Sequence, residues 1–429
     1  MKKVLLVALA TIVNTCYLSA QNAQAIKIIK AGKLIDVVRG EVLKDQILLI
    51  VNEKIKEIGT NVLIPPDAEV IDLSHLTILP GLIDSHTHIT SLPGENYYED
   101  RFRKTIIDQA LLAPKYAENT LLAGFTTCRD VGAQDFLDVS LRNAINRGAL
   151  KGPRLLVAGF VMGSTGGHAD FNGFSPYMKF RKMDEFTGVA DGPEEIIKKV
   201  RYNIKNGVDL IKFCATAGVL TEEESVSSAQ YSFEEMKALV DEAHRWGKKV
   251  AAHAHGAEGI KLAVKAGVNS IEHGSLLDDE AIKLMLLHGT WLVSDIYNDD
   301  YIVTELERRG YPEKIIAKEK IIGKLQRENF QKAARAGVKI AFGTDAGIFP
   351  HGWNGKQFHY MVKYGLTPMQ AIQSATINAA TLLGMEDKIG SIEKLKFADI
   401  IAVEGNPLEN ISLLEQIKFV MKDGIIYKK

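Results

Sequence analysis

Six side chains in this sequence are of types that bind a divalent cation, and each stands in or at the end of a short apolar run. His86 and His88 close PGLIDSHTH, Lys212 lies in DLIKFCATAG, His253 in VAAHAHG, His273 in SIEHG and Asp345 in AFGTDAG. Residues two apart on an extended chain point the same way, so His86 and His88 face one interior. Imidazole nitrogens and carboxylate oxygens suit zinc, and a catalytic zinc keeps a position open for water. Lys212 is flanked by Leu210, Ile211, Phe213 and Cys214, and period-two alternation places it on one face with Leu210 and Cys214. An unpaired ammonium in such surroundings is costly, and two nearby dications would repel it. Reaction with CO2 removes the conflict by making an anionic carbamate that can bridge two metals.

The chemistry expected of such a group is hydrolysis. Two cations about 3.5–4 Å apart lower the pKa of a shared water and supply bridging hydroxide near neutral pH. One of them polarises a carbonyl and stabilises the oxyanion. Asp345 would take the water's proton as general base and return it to the leaving amine as general acid.

These residues need a scaffold that gathers strand ends. The middle of the chain alternates buried-type strands, ILPGLIDSHTH, TTCRDVG, RLLVAG, LIKFCAT, KVAAHAHG, SIEHG, WLVSDI and IAFGTDAG, with amphipathic stretches. One of these, SFEEMKALVDEAHRWG, opens with Ser232 and Glu235 at capping-box spacing. Strand–helix alternation implies a parallel sheet, and this many units fit a (β/α)8 TIM-type barrel, expected over 80–387. Such a barrel collects its polar residues at the C-terminal strand ends. Both termini read instead as β-strands with Gly and Pro-Pro punctuation, predicting a small β-sandwich domain from 26–79 and 388–429. The fold class is therefore α/β.

The 429 residues, 46% hydrophobic and 24% charged, suffice for a large core. A net charge of −1 gives no basis for nucleic acid or an anionic membrane as partner. Lys2 and Lys3, the apolar run Val4 to Val13 and Ala23-Gln24-Ala25 read as a signal peptide over 1–25, with Ala20 as a second cleavage candidate. The expectation is an exported protein, periplasmic or secreted, with no membrane segment in the mature form. Cys16 lacks the small-residue approach of a lipidation site, and Cys128 and Cys214 read as buried thiols. His75, His244, His288, His351 and His359 are assigned to surface or packing.

As a set, PGLIDSHTH, DLIKFCATAG, VAAHAHG, SIEHG, AFGTDAG and the tail ATINAATLLG…IGSIEKLKFADIIAVEGNPL resemble the amidohydrolase superfamily, over nearly the whole mature chain. The branch is similar to imidazolonepropionase-like proteins, Xaa-Pro dipeptidases (prolidases) and carboxypeptidase-type enzymes. The resemblance implies two Zn2+ or similar ions. His86, His88 and Asp345 would bind the buried one, His253 and His273 the other, with Lys212 bridging as its CO2-derived carbamate. It also implies substrate contacts from His168 in GSTGGHAD, Tyr231 in SSAQYSFEE, and His255. The implied substrate is a small molecule, a dipeptide of Xaa-Pro type or an N-acyl amino acid with a free carboxylate, and the chain is expected to form a homo-oligomer. A cyclic-amide hydrolase or deaminase is the alternative on this fold, and a scaffold that has lost its activity is a third reading, against which stands the presence of every expected ligand. Gln357 in NGKQFHYM departs from the acid many relatives carry, and LVSDIYNDD is less typical of the family.

Overall fold

The computed structural model describes residues 25–92, 103–170, 177, 187–221 and 225–429. Cys16 and the expected export segment, Ala25 excepted, lie outside the described residues. Fourteen strands are described, β1 (Ile26–Asp36), β2 (Glu41–Val51), β3 (Lys54–Gly59), β4 (Glu69–Pro80), β5 (Leu82–Thr87), β6 (Phe125–Asp130), β7 (Arg154–Val157), β8 (Leu210–Cys214), β9 (Lys249–Ala254), β10 (Ser270–His273), β11 (Trp291–Val293), β12 (Ile400–Val403), β13 (Phe419–Lys422) and β14 (Ile425–Lys428).

Both ends of the chain build one seven-stranded sheet, in the order β14-β13-β12-β4-β1-β2-β3. Its hairpins follow the alternation in the sequence, but β1 pairs with β4 in parallel rather than as another antiparallel neighbour. The expected sandwich is thus a single mixed sheet that curls. Its edge strand β3 meets the segment before β12, through Ile55 N–H to Lys396 O (3.0 Å) and Leu395 N–H to Ile55 O (2.8 Å). Curling lets one face bury its own apolar cluster, including Ile50, Ile71, Ile400 and Phe419, with no helix needed to cover it.

The middle of the chain forms two parallel sheets, β5-β6-β7 and β11-β10-β9-β8. Most of their residues are buried, as near-continuous apolar runs require, with helices such as Phe233–Arg245 between strands and Glu313–Ala336 between β11 and the segment 340–346. Ser232 and Glu235 do form the predicted capping box, with Ser232 Oγ accepting from Glu235 N–H. Isolated parallel bridges link the two sheets at Met162–Phe213. On the other side the segment 340–346 touches both, through Leu292–Ile340 and Thr87–Ala346.

That segment, expected as the eighth strand, carries bridges but no ladder. The reason is local. Thr344 gives its N–H and its hydroxyl to the buried Asp84 carboxylate, at 3.2 and 2.6 Å, and Asn354 Nδ2 donates to the same group at 2.8 Å. A side-chain network takes over where strand pairing would otherwise run. Gly343 permits the close approach, since a Cβ there would stand 2.2 Å from Val293 Cγ1 and 2.9 Å from His86 Cβ. Among the described residues no helix is long and apolar enough to cross a membrane. Cys128 and Cys214 are buried free thiols.

Candidate metal centre

The strands deliver their polar ends to one cavity of about 220 Å³. Its lining includes His86, His88, Lys212, His253, His273 and Asp345, the six residues singled out by type and position, and also His168 and His255. Tyr231 does not line it. Its hydroxyl donates to Ala190 O at 2.9 Å inside the protein, so as placed it serves packing, and burial pushes the phenol upward.

The donor spacing fits side chains that share a cation. His86 Nε2 and His88 Nε2 each stand 3.4 Å from Asp345 Oδ1. Two tetrahedral ligands bound at zinc–nitrogen or zinc–oxygen distances lie about 3.3–3.4 Å apart, whereas a hydrogen bond would be shorter. Asp345 Oδ1 and His253 Nε2 are both buried with no hydrogen-bond partner. Orphaned buried polar atoms are expensive, and two of them among these donors fit a site for a metal ion. Ligand atoms of His86, His273 and Asp345 lie within 4.8 Å of one another, and so do those of His253, His255 and His273. His255 therefore stands within reach of either role, ligand or substrate contact. Its ring packs 4.7 Å from those of His253 and His273, and His168 stacks 4.2 Å from His253.

The rings are held from behind. Nδ1 of His86 meets Glu272 Oε2 at 2.9 Å, that of His88 meets Gly132 O at 2.9 Å, that of His273 meets Asp295 Oδ1 at 2.8 Å and that of His255 meets Ser275 Oγ at 2.7 Å. Partners of this kind fix the ring and leave Nε2 as the ligand atom. Glu272 is anchored in turn by Arg129 Nη2 at 2.7 Å and Ser270 Oγ at 2.5 Å. Despite burial, Arg129 and His86 hold the Glu272 carboxyl well below the usual carboxylate range. Arg129, Glu272 and Asp295 were missed at the level of sequence. The signal that exposed Lys212, a charge inside an apolar strand, was present for Arg129 in FTTCRD and Glu272 in SIEH.

Electrostatics keeps most of the imidazoles neutral, as ligation requires. Burial pushes His88 down to about 4 and His168 to about 3, and it lowers His253 and His255 well below the ordinary histidine value. His86 goes the other way. Burial and Lys212 oppose its charge, but Asp345 and Glu272 raise it to about 8. Asp345 is pushed up by burial, yet His86 and His88 hold it below its ordinary value. Burial lowers the Lys212 ammonium, and among the described residues no carboxylate lies within ion-pair distance of it.

Backbone strain marks the same place. His273 and Asp345 have φ of 69° and 57°, in the left-handed region that side chains rarely adopt. Each such residue costs on the order of 1–3 kcal/mol and persists where its surroundings over-determine it. Of the residues assigned to packing, His351 is buried, stacks on Tyr116 at 4.9 Å and meets Ser91 O at 2.8 Å, away from the cavity. Gln357 is fully buried too. Its Nε2 donates to Ser294 O (2.5 Å) and Gly343 O (2.9 Å), and its Oε1 accepts from Tyr297 N–H (2.9 Å).

The profile described as Amidohydrolase family matches residues 77–428. A solved Xaa-Pro dipeptidase with methionine bound in its active site is 43% identical, with a TM-score of 0.90 over 94% of this chain and 100% of that one. A prolidase solved with N-methylphosphonate-L-proline is 31% identical, with a TM-score of 0.87 over 94% and 100%. Among curated proteins, ochratoxinase from Aspergillus niger is 30% identical over 433 residues, covering 96% of this chain and 88% of its own length.

Proposed function

The chain belongs to the amidohydrolase family, and from that premise we propose that it is a binuclear metal-dependent hydrolase of an amide or peptide bond, acting on an Xaa-Pro type dipeptide or an N-acyl amino acid. In this reading β5 to β11 and the segment 340–346 act as one eight-unit barrel over 80–387, and 26–79 with 388–429 as the companion β domain.

The observation that carries it is the convergence of His86 Nε2, His88 Nε2 and the unpartnered Asp345 Oδ1 beside the unpartnered His253 Nε2. His86, His88 and Asp345 would hold one divalent ion, and His253 and His273 the second. Lys212 stands between them by the logic of charge. Burial favours its neutral amine, the form that adds to CO2 and releases one proton to leave a carbamate. When bound, the metal pair supplies Lewis-acid polarisation of the scissile carbonyl and an acidified water.

The rest falls to the chain's own residues. Asp345 Oδ1 takes the proton of the attacking water and passes it to the departing amine. Asn298 Nδ2, 3.3 Å from Asp345 Oδ2, holds the carboxylate so that Oδ1 faces inward. His168 and His255, kept neutral by burial, contact the substrate. Val219, Leu220 and Ile302 give the cavity an apolar wall, which suits a proline ring or an acyl chain. The test is metal analysis together with a screen of zinc-loaded protein on Xaa-Pro dipeptides and N-acyl amino acids. Two metals per chain and turnover of one class are expected. A metal-free protein, or Lys212 remaining an unmodified amine by intact mass after gentle desalting, would remove the proposal's basis.

A further inference from the structure

One wall of the cavity carries charge that the hydrolytic machinery leaves unused. Asp299, in the short helix Asn298–Tyr301, and Glu319, in the helix Glu313–Ala336, both line it and are 5% and 2% exposed. Burial and the neighbouring Glu319 carboxyl push the Asp299 carboxyl well above the usual carboxylate range. Gly323, one turn beyond Glu319, makes room for them, because a Cβ there would lie 2.6 Å from Asp299 Cβ and Cγ. Arg327 forms an ion pair with Asp299 and none with Glu319. Its Nε stands 3.3 Å from Asp299 Oδ2, while its other contacts go to Asp300 Oδ1 (2.8 Å) and Ile296 O (3.0 Å). Glu319 has no ion-pair partner among the described residues, and its buried Oε1 accepts no hydrogen bond. Asp299 Oδ2 is likewise buried without a hydrogen bond, so two carboxyls close together and out of water lack a donor.

We propose that Asp299 and Glu319 form the recognition site for a primary ammonium on the acyl residue of the substrate, so that the enzyme selects peptides with a free amine over N-acylated amino acids. The inference rests on the hydrolase reading above and narrows its substrate class. An ammonium offers three donors in a compact head and fits between two carboxyl groups. Among the described residues the lining otherwise offers one fixed cation, Lys212, which lies among the metal-site residues. Among the described residues, then, no other fixed cation competes for the acid pair from inside the cavity.

The ammonium can come from the peptide N-terminus or from a lysine side chain, and the probes separate the two. The metal-loaded full chain is assayed on Ala-Pro, N-acetyl-Ala-Pro and N-acetyl-Lys-Pro. Ala-Pro is expected to exceed N-acetyl-Ala-Pro in kcat/KM by about tenfold or more, the worth of a charge-assisted hydrogen bond. Recovery of the rate with N-acetyl-Lys-Pro assigns the side chain as the source, and its absence assigns the N-terminus. Glu319→Gln, nearly isosteric, and Asp299→Asn as a second variant should each collapse the preference, read as a ratio within one protein so that partial folding losses cancel. Calorimetric binding of Ala-Pro and N-acetyl-Ala-Pro to the Asp345→Asn protein gives the same comparison without turnover. Equal rates for Ala-Pro, N-acetyl-Ala-Pro and N-acetyl-Lys-Pro, or a preference unmoved in both variants, overturn the inference while leaving the hydrolase reading intact. Preferential binding with no turnover in the unsubstituted enzyme would instead overturn the hydrolase reading and support the acid-pair site.

Discussion

Two buried regions of this chain follow opposite rules. The curled terminal sheet encloses Ile29, Ile50, Ile71, Ile400 and Phe419, apolar side chains that gain by leaving water. The cavity at the parallel strand ends buries histidines, Lys212, Asp345 and Glu319, which lose by it, and adds left-handed backbone at His273 and Asp345. Burial in the first region is favourable in itself. The second is costly in the protein alone and recovers that cost when something binds. Stability and chemistry should then separate under mutation.

The strongest break is at Asp345. Replacing it by Asn keeps the shape and removes the proton acceptor. Turnover should fall by roughly 10²–10⁴, with much of the metal retained and a small loss of thermal stability in the metal-free protein, because His86 and His88 favour the charged form of Asp345. Steady-state kinetics, metal analysis and calorimetric melting check the three. Near-normal turnover would take Asp345 out of its assigned role. The converse experiment is Phe419→Ala in the terminal sheet, where the ring is 1% exposed. A loss of about 3–5 kcal/mol in denaturant unfolding is expected, with kcat of the folded fraction nearly unchanged. A large drop in kcat would mean that the two regions are coupled after all.

Legibility in the sequence divides along the same line. The candidate ligands could be read because each interrupts or ends an apolar run, and a lysine between Ile211 and Phe213 has few innocent explanations. The strand–helix rhythm was equally plain, since burial on both faces leaves a continuous apolar signature. What could not be read were partnerships. Alternation says that Ile26–Asp36 is a strand, but not that it pairs with Glu69–Pro80 in parallel. Asp295 lies in LVSDIYNDD, a stretch that stood out as unusual, yet its contact with His273 spans 22 residues and has no periodic mark. Tyr231 sat in a suggestive loop, but the direction of a hydroxyl is settled by tertiary packing, here by Ala190 O.

Glu272 sharpens the comparison because it belongs to both regimes, being a buried ion-pair partner of Arg129 and the support of His86. Glu272→Gln leaves the Arg129 guanidinium uncompensated and loosens the ring. Metal affinity should fall about 10- to 100-fold, as for other supports behind a ligand, measured by competition with a chelator. Stability should fall as well, and further than in Asp345→Asn, because Arg129 loses its buried ion-pair partner. An unchanged affinity would show that the strand alone orients His86.

The smallest effect is expected at Gln357, where an acid was the pattern to compare against. The amide gives two hydrogens to Ser294 O and Gly343 O and takes one from Tyr297 N–H, so it ties β11 and the 340–346 segment to the helix Gln357–Lys363. A carboxylate in its place would face two carbonyl oxygens without a proton to offer. Gln357→Glu should therefore cost about 1–3 kcal/mol in unfolding free energy, with the deficit shrinking as pH is lowered and the new acid becomes protonated. The sign follows from burial among acceptors, which raises the folded-state pKa of the introduced acid above its unfolded value, so stability is lost as pH rises through that window. Denaturant melts across a pH series read this directly. A gain in turnover without loss of stability would instead make the position part of the chemistry and erase the line drawn between the two regions.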